Sequence, residues 1–574
     1  MKKRRNWLKP DERVVRHIQR KAGCLPVTAT VLANRGIVEQ PDIECFLSPS
    51  LQMIQRGFAM ADMERAVARI AEAVSGRQKI LIFGDYDVDG ITATTLLHEF
   101  LSAAGAEAAY YIPHRLDEGY GLKAFHIKEV AQKMGADLIV TVDCGSASMD
   151  AVQEANQCGI DVIITDHHGI ADPPPPALAV VNPRRCDCSA GTDCLAGVGV
   201  AFLLVVCLRK HLREINFWQS RPEPNLKSFC DLVALGTVAD IVPLVRENRV
   251  LTQSGLDVLN ASPRPGIKAL IEISGMKKPF LTAEDIAFRL APRLNAAGRM
   301  DHAHPAVELL ETRDPEQARS IAQSINQLNT SRQTEEGRIF RRICLNLEEQ
   351  PELLERRTLV LSGSNWHEGI LGIVASRLAQ QYWRPVVLLS VKEDQARGSA
   401  RSIPGIDLYK AVSACAEHLD RFGGHPMAAG LSLKSEHLGA FRAAFESAIA
   451  GMAGPEALSP VLDIDAVLNL EMISGRLINE LETLQPFGPE NPEPLFCATD
   501  LAVARAIPVG EGHQKLILKQ PNGQSNQAVE AIWFNIPEDC RSARHFSELV
   551  FKLRWNYWNG EKRMQLMIED GALP

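Results

Sequence analysis

This chain of 574 residues lacks the features that place a protein in a membrane or outside the cell. Its basic start, residues 1–7, has no apolar stretch of the kind found in secretory signals. The longest apolar run, residues 195–208, is too short to span a bilayer. Thirteen cysteines are too few to serve as a disulfide scaffold in so long a chain. We therefore expect a cytoplasmic location, no membrane attachment and reduced thiols.

An excess of basic residues is also missing. The chain has 62 Lys and Arg against 70 Asp and Glu, a net charge of −8, which is not typical of a protein that simply coats DNA. Nucleic acid is still a possible partner, because an enzyme that holds a strand in a channel needs only a local basic lining. There is no long low-complexity segment and no internal repeat. The length and the 46% hydrophobic content predict a globular protein of several domains.

Three aspartates follow a continuous apolar run that predicts a strand buried on both faces. The run, residues 79–84, leads into Asp85, Asp87 and Asp89, and a helical pattern follows over residues 91–101. Because alternate residues of extended chain project to one side, we expect the three carboxylates to converge at the strand's carboxyl end. Carboxylates at this density favour a hard cation, Mg²⁺ or Mn²⁺. For one such motif alone, a solvated acidic turn is the alternative.

Two more apolar runs, residues 138–142 and 161–165, end in residues that can bind a metal ion. The first leads into Asp143, and the second into Asp166, His167 and His168. Helical patterns separate the runs, which predicts a parallel sheet built of βαβ units, with these loops on one edge. A further acid, Asp240, follows another apolar stretch and could complete the set. Carboxylates from separate loops together with a histidine pair indicate a site for two metal ions.

Four motifs, in this order, resemble those of the DHH phosphoesterase superfamily. They are Asp85-Tyr86-Asp87-Val88-Asp89-Gly90, Val142-Asp143-Cys144-Gly145, Asp166-His167-His168 and Val238-Ala239-Asp240. Further motifs resemble the RecJ family within that superfamily. These are Ile112-Pro113-His114-Arg115, Ala291-Pro292-Arg293-Leu294-Asn295-Ala296-Ala297-Gly298-Arg299, Gly398-Ser399-Ala400-Arg401 and Gly423-Gly424-His425. The resemblance covers nearly the whole chain.

The resemblance implies an α/β multidomain fold with a C-terminal all-β domain. The expected parts are an N-terminal segment (1–50), a parallel-sheet DHH catalytic domain (51–312), a linker helix (313–350), a smaller α/β DHHA1 substrate-binding domain (351–455) and a barrel like the OB-fold (456–574). A long helical pattern supports the linker helix directly, and its polar segment, residues 324–342, predicts a solvent-exposed bridge between two domains.

The resemblance also implies roles for the clustered acids and histidines. Two divalent ions, Mn²⁺ or Mg²⁺, would be bound, with Asp85 and Asp87 on the first, Asp89, His167 and Asp240 on the second, and Asp143 bridging them. The catalytic residues implied are Asp166, His167 and His168. His168 would contact the scissile phosphate, and Asp166 would orient a histidine from behind.

Arginines and small residues elsewhere indicate where a strand would be held. By resemblance, Arg115, Ser399 and Arg401 would bind the 5′-terminal phosphate, a role for which guanidinium groups are well shaped. For Arg115 from sequence alone, a surface arginine is the alternative.

Two glycine-containing motifs are predicted to form turns. The run from Arg293 to Arg299 predicts a tight turn that presents Arg293, Asn295 and Arg299 to the incoming strand. A second turn at Gly424 and His425 would let backbone amides approach a phosphate closely, with a purely structural Gly-Gly turn as the alternative.

The pattern changes to short strands with Pro and Gly turns after about residue 459. Strands are expected at 461–464, 515–519, 529–534 and 549–555, with a hairpin turn at Asn559-Gly560. Four aromatic residues near basic ones fit base stacking: Trp533, Trp555, Tyr557 and Trp558. Core aromatics at alternate strand positions are the alternative for any one of them.

One group of cysteines lies close together in sequence: Cys186, Cys188 and Cys194. A structural zinc site would need a fourth ligand such as Cys207 or Cys230, and this spacing is not a standard one. Reduced loop thiols are therefore the favoured interpretation.

The activity that the resemblance implies is that of an exodeoxyribonuclease specific for single-stranded DNA, working 5′ to 3′ in DNA repair and recombination. It would hydrolyse phosphodiester bonds with two metal ions and release 5′-mononucleotides. A single-strand-binding protein and a helicase are implied as partners of a monomeric enzyme. Two alternatives stay open: a phosphodiesterase acting on dinucleotides or small oligonucleotides, and a non-catalytic single-strand-binding replication scaffold. The intact motif carboxylates favour an enzyme, and the C-terminal domain favours a polymeric substrate.

Overall fold

The N-terminal segment packs against the C-terminal part of the chain. The computed structural model describes residues 3–54, 59–276, 278–521, 528–558 and 561–574. Strand β1 (Arg4–Trp7) lies parallel to a strand at Val461–Ile464. Helices α1 (Glu12–Ala22), α2 (Pro26–Asn34) and α3 (Gln40–Leu47) follow. Their apolar side chains, such as Ile18 and Leu32, share one core with the C-terminal barrel. The N-terminal segment therefore belongs to the same structural unit as the barrel, although more than 400 residues separate the two in sequence.

A five-stranded parallel sheet forms the centre of the first α/β domain, in the order β3-β2-β4-β5-β6. Its strands are β2 (Lys79–Gly84), β3 (Glu107–Tyr111), β4 (Leu138–Val142), β5 (Asp161–Thr165) and β6 (Ala179–Val181). Ile80 and Ile82 face one hydrophobic core, while Leu81 and Phe83 face another on the opposite side of the sheet. The apolar run at β2 is thus a strand buried on both faces, as predicted.

Helices cover both faces of this sheet. They are α4 (Met63–Ser75), α5 (Val88–Ala103), α6 (Ala124–His126), α7 (Gln132–Met134), α8 (Met149–Gln157), α9 (Gly197–Glu214), α10 (Cys230–Ala239), α11 (Arg246–Ala261), α12 (Pro265–Ile273), α13 (Ala283–Asp285), α14 (Ala291–Met300) and α15 (His304–Glu311). Single π-helical turns join α6 to α7 (Ile127–Ala131) and α13 to α14 (Ile286–Leu290). The apolar stretch before Asp240 is helix α10 rather than a strand.

The predicted tight turn between Arg293 and Arg299 is wrong, because these residues lie inside α14. Their small neighbours serve close helix packing instead of a turn. A Cβ atom added at Gly298 would lie 2.3 Å from the backbone oxygen of Tyr86. Glycine here lets α14 approach the chain between Asp85 and Asp87.

The linker helix is confirmed as α16 (Pro315–Glu349), which begins after Asp314. Ile325 packs into the core of the first α/β domain, and Ile339 packs into the core of the next domain. The helix thus joins two cores. Its polar middle is less exposed than predicted, since Asn329 and Arg332 are buried.

The second α/β domain contains a five-stranded sheet in the order β10-β11-β9-β8-β7. Its elements are β7 (Leu359–Ser364), α17 (Glu368–Tyr382), β8 (Val386–Lys392), β9 (Gln395–Arg401), α18 (Leu408–Ser413), β10 (Arg421–His425), β11 (Ala428–Lys434) and α19 (Leu438–Met452). Gly424 and His425 therefore belong to strand β10, and the predicted turn at these residues is wrong. The hairpin turns one residue later, at Pro426 and Met427.

A closed β-barrel forms the C-terminal domain. Its elements are β12 (Val461–Ile464), β13 (Ala466–Val467), α20 (Gly475–Glu482), β14 (Phe496–Val509), β15 (His513–Lys519), β16 (Ala528–Trp533), β17 (His545–Trp558) and β18 (Glu561–Ala572). The barrel closes because β14 pairs with both β15 and β17. The hairpin turn predicted at Asn559-Gly560 lies outside the described residues.

The aromatic residues of the barrel do not share one role. Trp533 is 4% exposed and belongs to the core, so base stacking by this residue is a wrong prediction. Trp555 and Tyr557 are half-buried beneath Lys562, which lies 4.4 Å and 5.7 Å from their ring centroids. Arg554 pairs with Glu493 and Glu284, so its charge is already neutralised. The Trp558 side chain is outside the described set.

Short 3₁₀ turns complete the described fold. They are Leu51–Met53, Phe217–Ser220, Leu226–Phe229, Pro351–Glu355, Ala416–His418, Ser435–His437, Pro455–Leu458, Leu470–Met472 and Glu538–Cys540. Across the ranges that the structure describes, no helix has both the length and the apolar character needed to cross a membrane.

Candidate metal centre and phosphate site

The three aspartates after β2 converge through a strand-to-helix turn rather than through extended chain. Asp85 follows the strand directly, and Asp87 caps the N-terminus of α5 by accepting hydrogen bonds from the amides of Asp89 (3.0 Å) and Gly90 (3.2 Å). Asp89 itself lies in the first helical turn. The expectation of alternating extended residues is therefore wrong, although the three carboxylates do meet. The positive end of the helix favours negative charge at this position.

Asp89 is held by the start of a second helix. Its carboxylate accepts hydrogen bonds from the amides of Gly197 (2.7 Å) and Val198 (2.8 Å) at the beginning of α9. Burial and the neighbouring charge of Asp87 raise the pKa of Asp89 to about 7. A Cβ atom at Gly236 would lie 2.8 Å from an Asp89 oxygen, and one at Gly197 would lie 2.5 Å from Asp143. Sequence analysis missed both glycines, which make room for the carboxylates.

His167 lies at the centre of the acidic cluster. Its Nε2 atom is 3.2 Å from an oxygen of Asp143, 3.5 Å from one of Asp240 and 3.8 Å from one of Asp89. Burial and the charge of His168 lower the pKa of His167 to about 3, so its imidazole is neutral near pH 7. A neutral imidazole is the form that binds a metal ion.

The cluster also contains polar atoms that lack partners. Burial and mutual repulsion raise the pKa values of Asp85, Asp143 and Asp240 well above the ordinary aspartate range. Within the described ranges, Oδ1 of Asp85, Oδ1 of Asp143 and both ring nitrogens of His167 are buried without a hydrogen-bond partner. Native proteins rarely leave such atoms unsatisfied. Oxygen ligands around a neutral imidazole fit divalent cations, which would satisfy these atoms and offset the repulsion.

Potential ligand atoms fall into three overlapping groups. Within each group, the ligand atoms all lie within 4.8 Å of one another. The groups are Asp85, Asp87 and Asp143; Asp89, His167 and Asp240; and Asp143, His167 and His168. Asp143 is thus shared between the first and third groups. Its backbone is in the left-handed region (φ 60°), a conformation that is uncommon for residues other than glycine and is often found at functional sites.

His168 is oriented by Asp166 from behind. Its Nδ1 donates a hydrogen bond of 2.8 Å to Asp166, whose carboxylate also accepts from the amides of His167 and Ser146. Burial opposes protonation, but the hydrogen bond and charge of Asp166 raise the pKa of His168 to about 9. The Tyr120 hydroxyl lies 3.1 Å from the same nitrogen and donates to the Asp143 carbonyl. Tyr120, which sequence analysis missed, thereby connects the two halves of the site.

A cluster of arginines lies beside the acidic residues. Burial and the charges of Arg115 and Arg401 lower the pKa of Arg299 to about 9, and burial and the charge of Arg115 lower that of Arg401 to about 10. Arg401 donates a 2.8 Å hydrogen bond to Ser399, and Arg115 lies 4.7 Å from the ring centroid of Tyr86. In the described structure, none of the three arginines pairs with a carboxylate. An anion such as phosphate would compensate this charge.

The remaining predicted substrate residues differ in position. Asn295 accepts a 3.2 Å hydrogen bond from the amide of Val88, so it supports the start of α5 beside the acids. Arg293 instead donates to Asn326 of the linker helix. His425 is exposed on β10, and its ring stacks on that of His168 with centroids 5.8 Å apart. Gly424 has φ +149°, and a Cβ atom there would lie 2.3 Å from a backbone oxygen.

Three family models match successive parts of the chain. The DHH family N-terminal domain matches residues 79–237, the DHHA1 domain matches 356–451 and the RecJ OB domain matches 464–570. The acidic cluster lies almost wholly in the first range, and Ser399 and Arg401 lie in the second.

Curated proteins and solved structures agree with these matches. The single-stranded-DNA-specific exonuclease RecJ of Bacillus subtilis is 35% identical over 98% of this chain and 70% of its own length, and that of Escherichia coli K12 is 35% identical over 95% of each. The crystal structure of RecJ from Thermus thermophilus in complex with Mn²⁺ superposes with a TM-score of 0.83 at 30% identity, covering 100% of this chain and 80% of that one. This chain therefore belongs to the RecJ family of single-stranded-DNA-specific exonucleases.

Proposed function

We propose that this chain is a 5′-to-3′ exonuclease that hydrolyses the terminal phosphodiester of single-stranded DNA and releases 5′-mononucleotides. One observation carries the proposal: a buried cluster of unsatisfied carboxylates and a neutral histidine lies directly beside an uncompensated arginine cluster. The first suits divalent cations, and the second suits a terminal phosphate. Cleavage next to a phosphorylated end requires a cation site and a phosphate site that lie side by side.

The acidic cluster would hold two divalent ions, Mn²⁺ or Mg²⁺. Asp85 and Asp87 would bind the first, Asp89, His167 and Asp240 the second, and Asp143 both, a partition that the grouping of ligand atoms supports. When bound, the ions would supply an activated water and stabilise negative charge on the leaving oxygen. The crystal structures of RecJ from Thermus thermophilus contain Mn²⁺ and Mg²⁺, respectively.

His168 would act on the scissile phosphate. Because Asp166 keeps its imidazole protonated at neutral pH, the Nε2–H can donate a hydrogen bond to a phosphate oxygen and stabilise charge that develops there. Asp166 is buried and uses its oxygens on His168 and neighbouring amides, so it positions the histidine. The stacked ring of His425 would limit the movement of His168 from the other side.

The arginine cluster would set the direction of digestion. Arg115, Arg299 and Arg401, with Ser399, would bind the 5′-terminal phosphate and so place the first phosphodiester against the acidic cluster. Asn295 and Gly424 would shape the surrounding backbone, and Arg293 would lie along the strand. An enzyme organised in this way removes one nucleotide per cycle from the 5′ end.

The cellular setting is part of the proposal. A monomer in the cytoplasm would act on single strands supplied by a helicase and covered by a single-strand-binding protein, in DNA repair and recombination. Preference for single strands would follow if the cleft between the two α/β domains is too narrow for a duplex. This setting is supported by the membership of this chain in the RecJ family.

The decisive experiment is digestion of 5′-phosphorylated single-stranded DNA labelled at either end, with Mn²⁺ or Mg²⁺. Wild type should release mononucleotides from the 5′ end only, and Asp143→Ala should be inactive although folded. Asp150→Ala is the matched control, because Asp150 is exposed on α8 of the same domain and should be dispensable. Cleavage of a dinucleotide but not of DNA would indicate a small-substrate phosphodiesterase. Binding without cleavage of either substrate would indicate a scaffold.

A further inference from the structure

Helix α14 and the π turn before it carry a stripe of accessible residues that leads away from the acidic cluster. Phe288, Pro292, Asn295 and Arg299 follow one another at spacings of four, three and four residues, which places them along one face. All four are at least partly accessible, whereas residues between them, such as Leu294, are buried in the catalytic core. The stripe therefore lies on a side of this helix that a ligand can reach.

Phe288 forms the outer end of the stripe. At 76% it is the most exposed of the large apolar side chains in the described ranges. It lies in the π turn Ile286–Leu290, a feature that occurs frequently at functional sites. An aromatic ring held so far into solvent is available for stacking.

The order of residues along the helix matches the order of groups along a substrate strand. Arg299, at the inner end, belongs to the arginine cluster proposed for the 5′-phosphate. Asn295, one turn further out, bonds to the amide of Val88 beside Asp87, where cleavage is proposed. Phe288 lies seven residues beyond Asn295, about 10 Å along the axis. A strand bound at Arg299 and cut beside Asn295 would thus pass Phe288 with its uncleaved part.

Positive charge accompanies the aromatic ring. Arg293 donates hydrogen bonds to the Arg289 backbone oxygen (2.6 Å) and to Asn326 (3.0 Å), and the charges of Arg289 and Arg332 add to burial in lowering its pKa. The nearby acid, Asp285, lies 3.2 Å from Lys278 and 3.9 Å from Arg289, whereas Arg293 donates its hydrogen bonds to neutral oxygens. Exposed aromatic rings flanked by arginines are typical of surfaces that bind single strands.

From this arrangement we infer that Phe288 stacks on a base of the uncleaved strand and is a positioning residue for substrates longer than the terminal nucleotides. The inference rests on the proposed function. Because every base has a π face, this contact is tolerant of sequence. It affects only substrates long enough to reach the ring.

The test uses the full-length protein with Phe288→Ala, Phe288→Trp and the control Leu345→Ala. Leu345 is also exposed, at 59%, but lies on the far half of the linker helix. Each variant is assayed on a series of 5′-phosphorylated oligonucleotides of increasing length. Phe288→Ala should raise KM by about tenfold on long oligonucleotides and leave the shortest cleavable substrate unchanged. Phe288→Trp should restore the wild-type KM, and Leu345→Ala should behave like wild type.

An abasic scan identifies the stacked nucleotide. Single abasic residues are placed at successive positions from the 5′ end. At one of these positions, the abasic residue should raise the KM of wild type by about the same factor as the Phe288→Ala substitution does. At that position the abasic residue should not raise the KM of Phe288→Ala any further, because this variant has already lost the same contact. If an abasic residue leaves the KM of wild type unchanged at every position, the inference is wrong. It is also wrong if Phe288→Ala raises KM equally on short and long substrates.

Other outcomes separate this inference from the proposed function. If wild type digests DNA from the 5′ end while Phe288→Ala matches it at every length, the proposed function stands and the stacking role is wrong. If wild type digests no DNA, the proposed function itself fails. If Phe288→Ala digests naked DNA normally but loses stimulation by a single-strand-binding protein, the ring serves protein docking, which also overturns base stacking.

Discussion

The guanidinium of Arg249 lies 3.7 Å from the centroid of the Phe46 ring, joining the catalytic domain to the N-terminal helices. It also donates hydrogen bonds to the carbonyl oxygens of Phe46, Leu484 and Thr483. Arg249 is 2% exposed, and in the described ranges no carboxylate pairs with it. One side chain thereby connects α11, α3 and the loop after α20.

Arg249→Ala should lower the free energy of unfolding by about 2–4 kcal/mol, because three buried carbonyls lose a charged donor. Chemical denaturation and limited proteolysis between residues 484 and 496 would measure the loss. Arg246→Ala, on the same helix, is the control: Arg246 is exposed and pairs with Asp193, so its loss should cost under about 1 kcal/mol. Equal effects of the two variants would contradict this role for Arg249.

The repulsion within the acidic cluster leads to a second prediction: a substitution that abolishes metal binding should stabilise the metal-free protein. Asp143→Asn should stabilise the metal-free protein by about 1 kcal/mol or more, since it removes a carboxyl whose charged form is disfavoured by burial and by the neighbouring acids. It should also abolish most of the gain in melting temperature that Mn²⁺ gives wild type. Thermal unfolding with and without Mn²⁺ measures both effects. A less stable metal-free variant would show that the carboxylates do not repel one another as described.

Metal removal should also change how stability depends on pH. Asp89 has a raised pKa of about 7, so its contribution to stability is fully present below the ordinary aspartate pKa and is lost as pH rises through about 7. Metal-free protein should therefore lose stability between about pH 4 and pH 7, and saturating Mn²⁺ should reduce this loss. Melting temperatures measured across that range, with chelator or with Mn²⁺, test the sign. A metal-free protein that gains stability over the range would contradict it.

A separate pH dependence should come from His98, away from the candidate site. Its Nδ1 lies 2.6 Å from Glu311, and this hydrogen bond raises the pKa of His98 although burial opposes the change. The stabilisation is fully present below the pKa of the unfolded state, about 6.5, and is lost as pH rises through the higher folded value. The stability difference between wild type and His98→Asn, measured by urea unfolding, should shrink above that pH. A difference that grows with pH would refute the assignment.

Arg401→Gln should remove discrimination between 5′-phosphate and 5′-hydroxyl ends. We expect KM on phosphorylated DNA to rise about tenfold to a hundredfold, because the buried charged donor that we propose for the phosphate is lost. KM on 5′-hydroxyl DNA should change little. Arg341→Gln, exposed on the linker helix, is the control and should keep the preference. If Arg401→Gln weakens both substrates equally, the arginine does not bind the terminal phosphate.

Local sequence was sufficient to predict the elements that their own residues specify. The buried strands β2, β4 and β5 and the linker helix were all predicted from the pattern of apolar residues. The acids and histidines that meet in the site were found because parallel strands end at one edge of a sheet. The motif resemblance added the arginines, whose clustering has no local signal.

Tertiary packing decided the rest. Strand β1 pairs with β12 across more than 400 residues, and no local pattern encodes such a partner. The small residues before Arg299 predicted a turn but form a helix, because Gly298 lets α14 pack against Tyr86. Asp89 reaches the acidic cluster from a helical turn, and the amides of α9 hold it there. Residue types thus determined which chemistry is available, while close packing between distant segments determined which atoms meet, since distances depend on the whole core.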